Sequence, residues 1–343
     1  MLVDQNLSNF SDIAVQTSFV VYALALVMSM VYYGRIQSVI DGHRSRKQSK
    51  AAVAAGAGQS GSVAVAEPPA DAGSGIDAED YVSNDEMAHR ERRADKLGGM
   101  TQALIWVAIA IHLVAVVLRG LATQRFPFGN LYEYVLVVTV GVMLIAAIAM
   151  QHKEWRTLWP WILVPTLALM FYGSTSLYAV SAPVVPALQS AWLPIHVTVV
   201  SLGASIGIIS GIASLLHLLR EWQPKNKERG FAGKIAKPLP NARKLDQLAY
   251  RLAVVTLPTL GLGIVLGAIW AESAWGRFWG WDPKETVSFA TWILYAAYLH
   301  ARATPSWRKA APWINVAAMA LMIFNLFFIN MVVSGLHSYA GLN

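Results

Sequence analysis

The most unusual part of the chain is a polar segment, residues 270–292, that contains five tryptophans. They are Trp270, Trp275, Trp279, Trp281 and Trp292. One or two tryptophans here would indicate no more than anchoring, because Trp is common at membrane–water interfaces. Five tryptophans, interleaved with charges, offer a flat aromatic surface on which a large planar ligand could bind. We refer to residues 270–292 as the tryptophan segment.

The charged residues of the tryptophan segment allow two interpretations. Arg277 and Lys284 either bind an anion or pair with the carboxylates of the segment itself. Asp282 is followed by a proline, and Glu285 stands three positions beyond it. This spacing predicts that Asp282 caps a helix. A capping role is compatible with a role in ligand binding.

Two histidines lie beside other apolar stretches of the chain. His196 opens one stretch and His337 follows the last one. Neutral imidazole commonly binds iron and zinc, although a single interfacial histidine is more often a hydrogen-bonded polar residue than a ligand. If these two histidines meet the tryptophans, they could hold a haem iron from both sides, with indole rings against the porphyrin.

The composition is that of a membrane protein. Of 343 residues, 55% are hydrophobic and only 14% are charged, and the mean hydropathy is +0.44. Soluble domains carry about 25% charged residues. The chain has no cysteine, which excludes disulfides, thiolate metal sites and dithiol redox chemistry by the chain itself.

Eight stretches approach the roughly 20 apolar residues that a membrane-spanning helix needs. They are approximately residues 13–33, 102–121, 131–150, 158–180, 193–219, 250–271, 287–299 with its flanks, and 313–334. The seventh is the weakest, because it is short and interrupted by aromatic residues. We predict an all-α, polytopic membrane helix bundle with about eight transmembrane helices.

Positive charges are concentrated in alternate loops. Loops 34–100, 151–157, 220–251 and 301–309 hold 23 of the 27 Lys and Arg residues. Because positively charged loops stay in the cytoplasm, this asymmetry predicts that both termini are extracytoplasmic. It also puts both histidines and the tryptophan segment on the outer side. The net charge of +7 therefore reflects topology, and we expect no binding of nucleic acid.

Four cations remain on the predicted outer side, namely Arg119, Arg125, Arg277 and Lys284. Their position runs against the charge rule, and a bound anion would explain it. The propionates of a haem are such anions, and Arg suits two-point contact with carboxylates. Arg277, Lys284 and Arg125 are therefore candidate propionate contacts.

We divide the chain into three parts. Residues 1–40 form an uncleaved N-terminal transmembrane helix, residues 41–99 a cytoplasmic and largely disordered linker, and residues 100–343 the membrane domain with the tryptophan segment. The composition of residues 51–83, rich in Ala, Gly, Ser and Pro, is typical of disorder. Residues 79–96 are charged enough to form a short surface helix.

Two further histidines lie within predicted spans. His300 ends the seventh span near the inner side, where it either turns to the interface or marks a pathway, because ionisable groups at membrane depth are costly. His112 lies near the middle of the second span. It is either a second inner ligand or the donor of a helix–helix hydrogen bond, and we favour the hydrogen bond.

The tryptophan segment resembles that of the system II cytochrome c biogenesis proteins of the CcsA/ResC type, a haem-handling group named for its Trp-rich WWD segment. The matching core is Trp275-Gly-Arg-Phe-Trp-Gly-Trp-Asp-Pro-Lys-Glu285. A block at Phe126–Glu133 and the terminal Gly335–Tyr339 also match. Together with the flanking segments, these blocks cover most of residues 100–343.

The resemblance implies roles for individual residues. The outer histidines of that family ligate haem, here haem b, and they map onto His196 and His337. A histidine in the span after the segment receives haem inside the membrane, and it maps onto His300. The residues that would form the haem platform are Trp270, Trp275, Trp279, Trp281 and Asp282.

The resemblance also implies a function. The chain would be the haem-delivery subunit of a cytochrome c synthase, or haem lyase. With a ResB-type partner, it would present haem on the extracytoplasmic face for thioether attachment to the Cys-x-x-Cys-His segment of apocytochrome c. The chain lacks a long extracytoplasmic domain, so we expect it to be one half of such a pair. We expect it in a bacterial plasma membrane, with the thylakoid membrane as the alternative.

Two other functions remain open. A haem exporter subunit of the CcmC type would share the tryptophan segment, but eight spans and a long inner linker argue against that shorter architecture. A polytopic transporter or assembly scaffold that binds no haem would use the tryptophans as interface anchors. Pro165 and Pro258 interrupt spans, as in transporters, but no charged partner lies near them in sequence.

Overall fold

The computed structural model describes residues 3–57, 83–184 and 186–337. Within these residues the structure is helical, and the helices are α1 (Gln5–Ala57), α2 (Asn84–Thr123), α3 (Leu131–Ala149), α4 (Trp159–Ser176), α5 (Trp192–Trp222), α6 (Gly230–Ala236), α7 (Ala242–Trp275), α8 (Pro283–Ala303) and α9 (Ala311–Met331). Short 3-10 helices at Lys153–Leu158 and Pro186–Gln189 lie in the connections. The predicted all-α class is confirmed.

Six of these helices, α1, α2, α3, α5, α7 and α9, are long and apolar enough to cross a membrane. The prediction of a polytopic membrane helix bundle is therefore confirmed. α4 and α8 coincide with the other two predicted spans but are not among the helices that combine sufficient length and apolarity. α4 contains Pro165 and ends in polar residues, whereas α8 begins with a charged turn and carries Trp292. The count of eight spans stays a prediction.

α1 and α2 form an antiparallel pair. At one end the Ser11 hydroxyl donates to the carbonyl of Ala115 at 2.8 Å. At the other end His43 lies 2.7 Å from Glu91. The long helices therefore stay paired beyond the apolar part of either one.

This pair extends into the region that we predicted as a disordered linker. α1 continues to Ala57 and α2 begins at Asn84. Residues 51–57 are mainly alanine, the best helix former, and the Ser83 side chain caps α2. Most of the predicted disordered stretch, residues 58–82, lies outside the described residues.

α5 and α7 are also antiparallel, and glycines allow their backbones to approach closely. A Cβ at Gly203 would lie 3.0 Å from the backbone nitrogen of Leu260, and one at Gly263 would lie 2.9 Å from Cα of Val200. Small residues have this role in many membrane helix pairs. The close pairing brings the first turns of α5 beside the last turns of α7.

Side-chain amides attach α9 to its neighbours. Asn315 donates to the hydroxyls of Ser210 and Ser214 in α5, at 2.9 and 2.7 Å. Asn325 donates to the hydroxyl of Ser288 in α8 at 2.8 Å. Because of these contacts, the start of α8 and the end of α9 lie beside the start of α5 and the end of α7. We call this the tryptophan end, and we call the opposite end, where α5 ends and α7 begins, the basic end.

Candidate functional site

His196 lies near the start of α5 and faces the last turns of α7. Its Nδ1 lies 2.8 Å from the carbonyl oxygen of Gly263, so Nδ1 carries a proton and donates. A Cβ at Gly267 would lie 2.6 Å from Cε1 of His196, which means that a larger residue there would displace the ring. Nε2 is therefore the nitrogen with a lone pair for a metal.

Trp270, near the end of α7, contacts both histidines that we predicted as ligands. Its ring stacks on His196 with the centroids 6.0 Å apart and the planes 5° apart. It lies 5.9 Å from the ring of His337. Trp275 packs edge-on against Trp270 at 4.7 Å and against His337 at 5.0 Å. The structure thus brings together two imidazoles from distant parts of the chain around one buried indole.

Asp282 has two roles at the start of α8. It caps the helix in a capping box with Glu285, which confirms the predicted cap. Its Oδ2 also lies 2.7 Å from Nδ1 of His337, and its Oδ1 accepts from the backbone N–H of Leu336 at 2.8 Å. A carboxylate on one nitrogen of a histidine fixes its tautomer and its orientation, as it does beside many protein-bound metals.

The charge state of this pair follows from its surroundings. Burial alone would raise the pKa of Asp282, but hydrogen bonds from His337 and Leu336 outweigh burial and hold this pKa at about 2. Burial lowers the pKa of His337, although the hydrogen bond to Asp282 opposes the change. At neutral pH the pair is therefore a carboxylate and a neutral imidazole, which is the form that binds metals.

A cavity of about 200 Å³ adjoins both histidines. At the tryptophan end its walls include Trp270, Trp275 and Trp279. Toward the middle of the bundle its walls are apolar and include Leu260 and Met322. The cavity is therefore a slot that leads from the tryptophan end into the apolar interior.

The remaining platform residues differ in their exposure. Trp279 lines the cavity and packs edge-on against Trp281 at 5.7 Å. Trp281 is 66% exposed, and its φ of +58° is uncommon for a residue with a side chain. Such a backbone costs free energy, so the surrounding turn must hold Trp281 in this conformation at the surface.

One predicted cation reaches the cavity. Lys284 is among the residues that line it. Its Nζ donates to the side-chain oxygen of Asn330 and lies 6.0 Å from the centroid of the Tyr134 ring. Lys284 therefore offers a positive charge at the cavity wall, and its role as a propionate contact stays a prediction.

The other two predicted cations are paired with carboxylates. Arg277 lies 3.4 Å from Glu285. Arg125 lies 2.7 Å from the fully buried Glu133, which also pairs with Arg119 at 3.2 Å. Among the described residues, neither Arg277 nor Arg125 lines the cavity. These ion pairs order the loops, and binding of a propionate by either arginine stays a prediction.

His300 and His112 lie away from this cavity. The exposed side chain of His300 lies in the last turn of α8, at the basic end, and its role as an in-membrane ligand stays a prediction. His112 is fully buried, but within the described part of the chain neither ring nitrogen has a hydrogen-bond partner. The predicted helix–helix hydrogen bond is therefore wrong. The ring instead packs edge-on against Tyr22 at 6.0 Å.

Three contributors to the site escaped sequence analysis. Gly263 and Gly267 position His196, and their four-residue spacing on one helix is a known signal of close helix approach. Asn330 accepts from Lys284, and a polar residue near the end of an apolar span could have drawn attention to it. The bond between Asp282 and His337 had no such signal, because 55 positions separate the two residues.

The sequence of this chain is similar to those of known proteins. A family model described as Cytochrome C assembly protein matches residues 97–337, which include the whole site. Proteins called cytochrome c biogenesis protein CcsA are similar to the chain. The one from Guillardia theta is 36% identical over 243 residues, 66% of this chain and 80% of the relative. The one from Prochlorococcus marinus subsp. pastoris is 34% identical over 262 residues, 69% and 81% of the two chains.

A third relative of the same name, from Gloeobacter violaceus, is 30% identical over 298 residues, 72% of this chain and 87% of the relative. The similarity thus extends over most of both chains in each pair. The chain therefore belongs to the cytochrome c assembly protein family, as a multi-pass membrane subunit of cytochrome c biogenesis.

Proposed function

We propose that this protein is the haem-delivery subunit of a cytochrome c synthase. It holds haem b as a substrate at the extracytoplasmic face, where the haem is attached to apocytochrome c. The observation that carries the proposal is the meeting of His196 and His337 around the buried indole of Trp270. Membership of the cytochrome c assembly protein family supports a role in cytochrome c biogenesis. The position of the two histidines around Trp270 supports haem as the ligand.

The tryptophan end fits a haem better than a bare metal ion. Within the described residues, no group of three or more His, Asp or Glu side chains could hold a metal ion. An iron already held by four porphyrin nitrogens needs only two axial ligands from the protein, and two imidazoles supply them. The indole walls suit the porphyrin face, and Lys284 offers a charge to a propionate.

The chain's own residues orient the ligands in advance. The carbonyl of Gly263 holds the proton of His196 on Nδ1, and the carboxylate of Asp282 does the same for His337. Both Nε2 atoms are thereby presented as ligands, and little side-chain freedom is lost when haem binds. The apolar slot excludes water from the iron.

The covalent step needs little from this chain. Each thioether bond forms when the S–H of a substrate cysteine adds across a haem vinyl C=C bond. The sulfur bonds to one vinyl carbon and the hydrogen goes to the other. The substrate supplies both thiols in its Cys-x-x-Cys-His segment, and this chain has no cysteine. Its contribution is orientation of the haem and protection of the iron.

We further propose a route and a partner. Haem enters near His300 at the basic end, which the charge distribution predicts to be cytoplasmic, and it moves to the tryptophan end. A ResB-type membrane protein completes the synthase and the inner site. The plasma membrane of a bacterium is the proposed location, with the thylakoid membrane as the alternative.

A reconstitution in cells tests the proposal. The chain is expressed with a ResB-type partner and an apocytochrome c in a bacterial host that cannot mature c-type cytochromes. We expect covalent haem on the cytochrome, detected by haem staining after denaturing electrophoresis. His196→Ala and His337→Ala should each abolish the signal, whereas His152→Ala, which alters an exposed loop histidine, should retain it.

Two outcomes would count against the proposal. Normal cytochrome maturation by both ligand variants would exclude the proposed site. Haem bound by the purified chain together with a haem chaperone, but never transferred with a ResB-type partner, would favour the exporter function instead.

A further inference from the structure

A second cavity, of about 460 Å³, lies at the basic end. It is enclosed by the C-terminal half of α1, the 3-10 helix before α4, and the connection between α5 and α7. Among the described residues, its walls carry one carboxylate, that of Glu154, and the five cations Arg44, Lys47, Lys225, Lys237 and Lys244. The cavity is therefore strongly positive, in contrast to the apolar slot at the tryptophan end.

Neighbouring carboxylates neutralise only part of this charge. The cations with partners are Arg44 with Glu228, Lys237 with Asp41, and Lys244 with Glu154. Lys47 and Lys225 have no ion pair within the described residues. The cavity thus has two lysines without an ion pair, contributed by two separate parts of the chain.

Lys225 lies close to other cations at the basic end. It lies in a tight turn in which the N–H of Lys227 donates to the carbonyl of Pro224 at 3.0 Å. Partial burial, together with the charges of Arg220, Lys244 and Arg44, lowers the pKa of Lys225, and the charge of Glu228 opposes this change only in part. Cations that crowd one another in this way are stabilised when an anion binds among them.

Exposed aromatic rings indicate where this cavity lies relative to a membrane. Trp222, at the end of α5, is 69% exposed, and Phe231, in α6, is 80% exposed. Trp222 directly precedes the α5–α7 connection that forms part of the cavity wall, and Phe231 lies within this connection. Aromatic residues of this kind are enriched at the level of lipid headgroups, and basic pockets beside transmembrane helices bind anionic headgroups on the cytoplasmic side.

We propose that this cavity is a binding site for a phosphate-bearing anion, and that its occupant is the headgroup of an anionic phospholipid. The phosphate lies between Lys47 of α1 and Lys225 of the α5–α7 connection. The bound lipid thereby fastens the long first helix to the domain that carries the tryptophan end. This site is separate from the proposed haem site, and neither proposal depends on the other.

Native mass spectrometry of the purified full-length protein tests the site. The protein in detergent is titrated with phosphatidylglycerol, with phosphatidylcholine or with inorganic phosphate. The double variant Lys47→Gln/Lys225→Gln removes the charges of the two lysines that have no ion pair. Its matched control, Lys227→Gln/Lys234→Gln, removes two exposed lysines from the same connection that do not line the cavity.

We expect preferential retention of phosphatidylglycerol over phosphatidylcholine. Because each Lys near a membrane surface contributes about 1 kcal/mol to headgroup binding, the cavity variant should bind about 30-fold more weakly. The control variant should bind as the wild type does. If the double variant does not fold, the single variant Lys47→Gln replaces it, and we expect its loss of lipid affinity to be smaller than that of the double variant.

Three results would overturn the proposal. Equal binding of the two lipids would exclude recognition of a headgroup charge. Equal losses in the cavity and control variants would show a diffuse surface effect. Binding of inorganic phosphate that depends on Lys47 and Lys225, without selective lipid retention, would identify a soluble anion as the occupant and exclude the lipid.

Discussion

The carboxylate of Asp282 provides the sharpest test of how the site is built. Its Oδ2 accepts from His337 and from the backbone of Lys284, and its Oδ1 accepts from the N–H of Leu336. Asn is almost as good a helix cap as Asp, so Asp282→Asn should leave α8 folded. The amide has only one acceptor oxygen, however, and its NH₂ group must face either Leu336 or His337.

Two general magnitudes bear on the loss of haem affinity in Asp282→Asn. A hydrogen bond to a charged group contributes about 1.5–3 kcal/mol. Loss of the group that orients a metal-binding histidine typically lowers metal affinity by about 10–100-fold, which corresponds to about 1.4–2.7 kcal/mol. The two ranges agree. We therefore expect Asp282→Asn to bind haem about 10–100-fold more weakly than the wild type.

The assay is a haem titration of the purified protein, followed by visible absorption. Glu272→Gln is the matched control, because it makes the same chemical change at an exposed carboxylate of the tryptophan segment. We expect it to bind as the wild type does. If Asp282→Asn binds haem with wild-type affinity while its unfolding temperature is also unchanged, the carboxylate does not orient His337 as a ligand.

Substitutions at Gly267 and Glu133 and a change of pH test three other contacts of the structure. Gly267→Ala puts a Cβ 2.6 Å from the His196 ring and should weaken haem binding in the same titration by about tenfold or more. The control Gly99→Ala, at a position with open space around it, should leave haem binding unchanged. Equal haem affinities of the two variants would show that the contact between Gly267 and His196 does not position the ligand. Burial lowers the pKa of His337, and protonation would remove the lone pair that binds iron. Haem affinity should therefore stay constant as the pH falls to the ordinary histidine pKa of about 6.5 and decline only below that pH. Loss of half of the bound haem at or above that pH would contradict the role of His337 as a ligand. Glu133→Gln leaves the half-buried Arg125 without a carboxylate and leaves the buried Arg119 with Asp12 alone, 3.5 Å away. It should lower the free energy of unfolding by up to about 3–5 kcal/mol, measured by denaturant titration. Unchanged stability would show that the ion pairs of Glu133 contribute little.

The parts of the fold that sequence analysis predicted correctly depend on properties of whole segments. Long apolar stretches predict helices wherever they occur, and antiparallel packing then brings alternate helix ends together. This alternation also places His196, Trp270 and His337 on the same predicted side, because each stands at a span end. The helix cap at Asp282 could be predicted as well, because the residues that indicate it, from Asp282 to Glu285, are consecutive in the sequence.

What sequence analysis missed depends on individual contacts between distant residues. Hydrophobic periodicity cannot show that Gly263 and Gly267 leave room for one imidazole, or that Asp282 reaches a residue beyond the last helix. The arginines illustrate the same limit. Arg125 was predicted to contact an anionic ligand, but a buried glutamate eight positions later already pairs with it. Residues 58–82, where disorder was predicted, are not described by the structure.

His112 shows how a general rule can fail at one position. A polar residue in a membrane helix usually finds a hydrogen-bond partner, and this expectation led to the wrong prediction of a helix–helix bond. In the structure the only close aromatic neighbour within the described residues, Tyr22, packs edge-on against the imidazole. An aromatic contact of this kind leaves no pattern in the sequence.

The most direct test of the central claim is the electron paramagnetic resonance spectrum of the purified, oxidised protein after loading with haem. With His196 and His337 as axial ligands, the wild type should show a low-spin ferric signal of two-imidazole ligation. His196→Ala and His337→Ala should each lose that signal, and added free imidazole should restore it. An unchanged low-spin spectrum in both variants, at wild-type haem content, would show that other residues hold the iron and would contradict the account.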